Sequence, residues 1–139
     1  MGTKRLVIGT LVGGVAVLAT GYLIFTLAFS EFYAYAMNSG SATGVQRDPP
    51  LLWAVAVGAM SFGALVTLAI ESRPGAGNLG AGIRIGAIVG FLLWFTADFT
   101  FYGISNVGNL TSTVVDPFLE LVPGAIAGGV IAVVLGRIR

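Results

Sequence analysis

The feature that most constrains this chain is a run of 24 residues without a charge, Leu6–Phe29, entered from Lys4 and Arg5. As a helix at about 1.5 Å per residue it is roughly 36 Å long, enough to cross a hydrocarbon core of about 30 Å with some tilt. It is also longer than the roughly 7–15 residues of a signal-peptide core, so the small-x-small stretch Ala34-Tyr35-Ala36 is read as incidental and the run as a retained anchor. A myristoylation signal at Gly2 is rejected because Leu6 stands where that motif takes Ser or Thr. A second uncharged run, Leu51–Ile70, follows a polar connection and stops at Glu71-Ser72-Arg73-Pro74, since proline cannot continue a helix. Two more apolar runs follow, with a few charges set inside them.

The sequence therefore predicts an all-α membrane protein, a single domain over residues 1–139 with spans at about 6–29, 51–70, 81–102 and 113–135. Composition agrees: 56% of residues are hydrophobic and 9% charged, far below the roughly 25% of a soluble domain. Because the chain has no cysteine and no histidine, disulfides and thiolate sites are excluded and the commonest ligand of haem, zinc and copper is missing. No cofactor, no metal site and no enzyme activity are expected, and nothing suggests a nucleic-acid partner.

Orientation follows from the basic residues. With four spans, Lys4, Arg5, Arg73, Arg84, Arg137 and Arg139 share one side and only Arg47 takes the other. The positive-inside rule then puts both termini in the cytoplasm. Tyr33 and Tyr35 suit the headgroup level, and Asp48 with Pro49-Pro50 suits the entrance of the second span.

The halves 1–73 and 74–139 correspond. Ile8-Gly9-x-Leu11-Val12-Gly13 matches Ile85-Gly86-x-Ile88-Val89-Gly90. Phe32-Tyr33 matches Phe101-Tyr102, and each is followed by an Asn (Asn38, Asn106) and then an Asp-Pro pair (Asp48-Pro49, Asp116-Pro117). Both halves start on the same side, so the expected architecture is two tandem helical hairpins in a parallel internal repeat.

Chemistry concentrates between Asp98 and Pro123. Asp116 and Glu120 are spaced i, i+4 and share a helix face, while Asp98 precedes Tyr102 by the same interval on the neighbouring span. The carboxylates can converge toward the outer side, with Asn106, Asn109, Thr111 and Thr113 nearby. Without a Lys or Arg at that depth, three carboxylates require water, a bound cation or a proton. Asp98, Asp116, Glu120, Tyr102, Asn106 and Asn109 thus form a candidate proton or cation site. The plainer reading makes Asp116 a helix cap and places Pro117 in the first turn of the fourth span, with Pro123 kinking its interior and freeing a carbonyl near Leu119.

Gly9 with Gly13, Gly82 with Gly86 and Gly90, and Gly124 with Gly128 are small-xxx-small pairs that let helices approach closely, within the bundle or toward another subunit. Gly75-Ala76-Gly77-Asn78-Leu79-Gly80 spells a dinucleotide fingerprint without its βαβ context and is read as a turn. Asn109-Leu110-Thr111 is read as a chance sequon, and Phe91, Trp94, Phe95, Phe99 and Phe101 as packing and lipid-facing residues.

The Gly-rich first span, Phe32-Tyr33, the loop Asn38-Ser39-Gly40-Ser41-Ala42-Thr43-Gly44 and the run Tyr102-Gly103-x-Ser105-Asn106-x-x-Asn109-Leu110-Thr111 together resemble small uncharacterised bacterial four-helix membrane proteins. The resemblance implies the topology and a bacterial inner membrane, and it transfers no activity. On the residues alone, the leading expectation is a non-enzymatic protein that works by helix association in the lipid bilayer, with itself or with other membrane subunits. The alternative is a small proton- or cation-coupled transporter or channel using the outer-side carboxylate cluster.

Overall fold

The computed structural model of the chain describes residues 2–32, 34, 47, 49–73 and 77–138. Tyr33, Tyr35, the loop Asn38–Gly44, Asp48, Pro74 and the opening residues of the glycine loop lie outside the described residues, and with them the expectations placed there. Helix α1 (Thr3–Gly21) runs directly into a π-helical stretch, Tyr22–Ala28, and is followed by α2 (Leu52–Glu71), α3 (Leu79–Ile104), α4 (Leu110–Leu119) and α5 (Leu121–Gly136). The described residues contain no strand. Four segments, Thr3–Ala28, Leu52–Glu71, Leu79–Ile104 and Leu110–Gly136, are long and apolar enough to cross a membrane.

Local chemistry sets several helix ends. Asn78 caps α3 by accepting the backbone N–H of Ala81 at 2.8 Å. The second half of the glycine loop is thus a helix start, which suits the turn reading. Pro49 and Pro50 precede α2, and the rigid pair ends the polar connection just before its first turn.

Glycine decides which helices touch. A Cβ built on Gly63 of α2 would stand 2.5 Å from the carbonyl oxygen of Thr10 and 2.6 Å from the amide nitrogen of Gly14, so α1 and α2 meet backbone to backbone. Gly13 faces the same place from α1, and Gly9 lies against Thr67. Between α3 and α5 the contact is closer still. Gly86 packs on the carbonyl of Gly124, Gly82 on that of Gly128, and Gly128 on that of Gly82. Without side chains to separate the axes, the two helices gain dispersion contacts that lipid tails do not provide. Every glycine of the small-xxx-small pairs lies in one of these two seams.

Helix α5 is central, packing against α3, α1 and α2. Its Ala127, Ile131 and Leu135 form the core with Phe62, Val66 and Ile70 of α2, flanked by Ile8, Val12 and Ala16 of α1 and Ile85 and Val89 of α3. This core fills the half of the bundle that holds the start of α1 and the end of α5. The opposite half is looser: the π-helical stretch has no buried residue, and Leu52, Trp53, Val55 and Val57 of α2 all face outward.

A clamp closes the well-packed end. The Arg5 guanidinium donates to Glu71 through Nη2 to Oε1 at 2.8 Å and Nε to Oε2 at 3.1 Å. Its Nη1 donates to the carbonyl oxygens of Leu135 at 2.9 Å and Ile138 at 2.6 Å. One side chain so ties α1 to the end of α2 and to the last turn of α5, where carbonyls lack helical partners. It is the only ion pair among the described residues. Arg5→Ala should lower stability by about 1–2 kcal/mol, the worth of charged hydrogen bonds discounted for partial exposure, with Arg5→Lys intermediate. Thermal unfolding in a mild detergent checks this, and a wild-type melting point in Arg5→Ala would show that the clamp contributes nothing.

Candidate carboxyl site at a kinked helix

The site begins with a cap. Asn109 Oδ1 accepts the N–H of Ser112 at 2.8 Å, while Ser112 Oγ accepts the N–H of Asn109 at 3.2 Å, a reciprocal capping box. Thr113 Oγ1 adds a bond to the Asn109 carbonyl at 2.9 Å. These bonds start the fourth span at Leu110, so two expectations are corrected. Asp116 is not a helix cap, because Asn109 fills that role, and Pro117 lies in the helix interior rather than in the first turn. Pro117 has no N–H for the carbonyl four residues back, and the helix stops two residues later.

The fourth span kinks at Glu120, which ends α4 and precedes α5 with φ −72° and ψ −11°, still in the helical region, three residues before Pro123. The kink packs on glycine. A Cβ on Gly90 of α3 would lie 2.7 Å from the Glu120 carbonyl oxygen, so only a residue without a side chain lets α3 run this close.

Ser112, Asp116 and Glu120 follow one another at i, i+4 and i+8 along this kinked span, and all three are buried. Glu120 is 5% exposed and Asp116 is 8% exposed, well inside the range that carboxylates avoid unless something stabilises them. From α3 the half-buried Asp98 reaches across to Asp116, close enough for the two carboxyls to interact. Asp98 Oδ2 is buried and has no hydrogen-bond partner among the described residues. Glu120 stands within electrostatic reach of both. Phe91 of α3 meets Phe118 of α4 edge-on at 5.2 Å and shields one flank.

Two carboxyl groups can hydrogen-bond to each other only when one carries a proton, since a carboxylate has acceptors alone. The arrangement can hold a shared proton between Asp98 and Asp116 with a third acid beside it. Among the described residues no group of three or more His, Cys, Asp or Glu side chains is placed to hold a metal ion.

The structure brings together Asp98, Asp116 and Glu120. It does not bring in Tyr102, which is 44% exposed, or Asn106, which is also exposed. Asn109 is engaged as the cap. Ser112 and the Arg5–Glu71 clamp were not foreseen. A signal for Ser112 existed in its spacing from Asn109, which is that of a capping box. The phenylalanines Phe91, Phe95 and Phe99 stack along α3 at 5.5 and 4.5 Å, with Phe95 and Phe99 partly facing outward, as packing and lipid-facing residues do. Comparisons of this chain with protein-family models, with curated proteins and with solved structures give no match.

Proposed function

We propose that this chain is a multi-pass protein of a bacterial inner membrane, with both termini cytoplasmic, that transfers protons through Asp98, Asp116 and Glu120 as a small proton-coupled transporter. The observation that carries the reading is the convergence of three acids from two different spans, Asp98 beside Asp116 and Glu120, with both acids of the fourth span buried. Acids at membrane depth are costly and occur where protons or ions are handled. Adjacent carboxyls can take up a proton, which lets them hydrogen-bond, and release it, which breaks that bond. Glu120 lies at the kink of the fourth span.

Association with other membrane subunits, or with itself, loses support because the glycine stripes that suggested it are occupied by the α1–α2 and α3–α5 seams. The orientation rests on the six-to-one division of basic residues. A duplicated origin is supported by the pairing of α1 with α2 and of α3 with α4 and α5. It is limited by the Asp-Pro pairs, since Pro49 precedes its helix and Asp116-Pro117 lies within one.

The test is proton flux into proteoliposomes that hold a pH-sensitive dye, driven by a pH gradient or by a membrane potential. Wild-type protein should acidify or alkalinise the lumen faster than protein-free vesicles under at least one gradient. Folded protein that moves no protons under either would overturn the proposal and return association to first place, to be pursued by identifying what co-purifies in gentle detergent.

A further inference from the structure

Arg84 is the sixth residue of α3, it is exposed, and no ion pair joins it to an acid among the described residues. With 26 residues α3 is about 39 Å long, about 9 Å more than a hydrocarbon core of about 30 Å. Arg84 lies about 8 Å from the start of α3, so an overhang at that end sets its Cα at the boundary between phosphates and acyl chains. A guanidinium there is too poorly hydrated to be left alone, and its planar fork matches phosphate. The residues one and two turns further along the same face, Ile88 and Leu92, are each 56% exposed and present the apolar surface an acyl chain would lie on.

The surrounding charge points the same way. Gly77 before α3 and Gly136 at the end of α5 are level, since a Cβ on Gly136 would stand 3.2 Å from the Gly77 carbonyl oxygen. The Arg5 bonds hold the start of α1 at the same end. Lys4, Arg73 and Arg137 are all exposed there, and the one acid at this end, Glu71, is taken by Arg5. Five described basic residues against one acid leave four positive charges at this rim.

We propose that this rim is a binding surface for anionic phospholipid, in which Arg84 holds the phosphate, Ile88 and Leu92 support an acyl chain, and Lys4, Arg73 and Arg137 add long-range attraction. The surface is independent of the carboxyl site. The apolar track beside the cation favours a lipid over free phosphate.

Native mass spectrometry of the full chain in detergent, titrated with phosphatidylglycerol, phosphatidylcholine or inorganic phosphate, tests it. Phosphatidylglycerol should bind more tightly than phosphatidylcholine. Arg84→Gln should weaken phosphatidylglycerol binding roughly fivefold, and adding Lys4→Gln, Arg73→Gln and Arg137→Gln should bring the loss to the order of several hundred-fold. Arg47→Gln, outside this rim, should change nothing. Because Arg84 makes no hydrogen bond among the described residues, its substitution should leave the melting point unchanged, and phosphatidylglycerol should raise the wild-type melting point where phosphatidylcholine does not. Equal binding of the two lipids, undiminished binding by Arg84→Gln, or displacement of the lipid by millimolar inorganic phosphate would each overturn the assignment.

Discussion

Gly86→Ile should abolish the cooperative thermal transition of the protein in detergent and drive it toward aggregation. A Cβ at Gly86 collides with the Gly124 carbonyl and lies 2.9 Å from the Gly128 Cα, so the obstacle is backbone on a neighbouring helix and cannot turn aside. Overpacking a core ordinarily costs about 1–3 kcal/mol, because side chains share the displacement. Here α3 and α5 must separate along their whole seam, and the cost should exceed that range. Helix propensity works in the opposite direction, since replacing a helical glycine gains about 0.5–1 kcal/mol, and the comparison of the two decides the sign. Gly58 supplies the control. A Cβ there meets nothing within 4 Å, so Gly58→Ala should melt at or above the wild-type temperature while Gly86→Ala melts below it. Parallel behaviour of these two variants would show that the seam is not a backbone contact.

Asp98→Asn should leave the fold intact and reduce proton flux by at least about an order of magnitude, the lower end of what a positioned proton-transferring group contributes. The amide keeps the shape of the side chain and can donate to Asp116, so the contact between α3 and α4 is kept, now with a donor that never gives its proton away. Melting point and flux therefore separate. Glu120→Gln should reduce flux less, because that residue faces the pair without being one of its two members. Flux in Asp98→Asn equal to wild type, in a preparation where the wild type is active, would remove Asp98 from the pathway. Loss of both flux and stability would mean that the pair is a structural bond.

Most of the architecture was legible because hydrophobic length is a strong signal. The expected spans 6–29, 51–70, 81–102 and 113–135 lie close to Thr3–Ala28, Leu52–Glu71, Leu79–Ile104 and Leu110–Gly136. The offset at the start of the fourth span has a clear cause. Leu110-Thr111-Ser112-Thr113 reads as a polar loop before Pro117, and only the reciprocal bonds of Asn109 and Ser112 make it the first turn of α4. The glycine spacing revealed which faces would be close but not which partners, since Gly63 and Thr67 had no stripe to announce them. The three acids were legible because charge is conspicuous in apolar sequence. Tyr102 shares a face with Asp98 by spacing, yet it lies one turn nearer the helix end and is 44% exposed. The clamp was illegible for a different reason: Arg5 and Glu71 are 66 positions apart and look like ordinary ends of two spans.

The bond from Arg5 to the Ile138 carbonyl joins residues separated by 133 positions, and this has a bearing on biogenesis. During synthesis α1 enters the bilayer long before its partner carbonyls exist, with its arginine able to meet only water, lipid or Glu71. The α3–α5 seam is local to the second half and can close as soon as that half is inserted. The well-packed end can be completed only after residue 138 has left the ribosome. Closure of this end accordingly waits on the fourth span, and nascent chains stalled before that point, with the first three spans inserted, should remain accessible to membrane quality-control proteases.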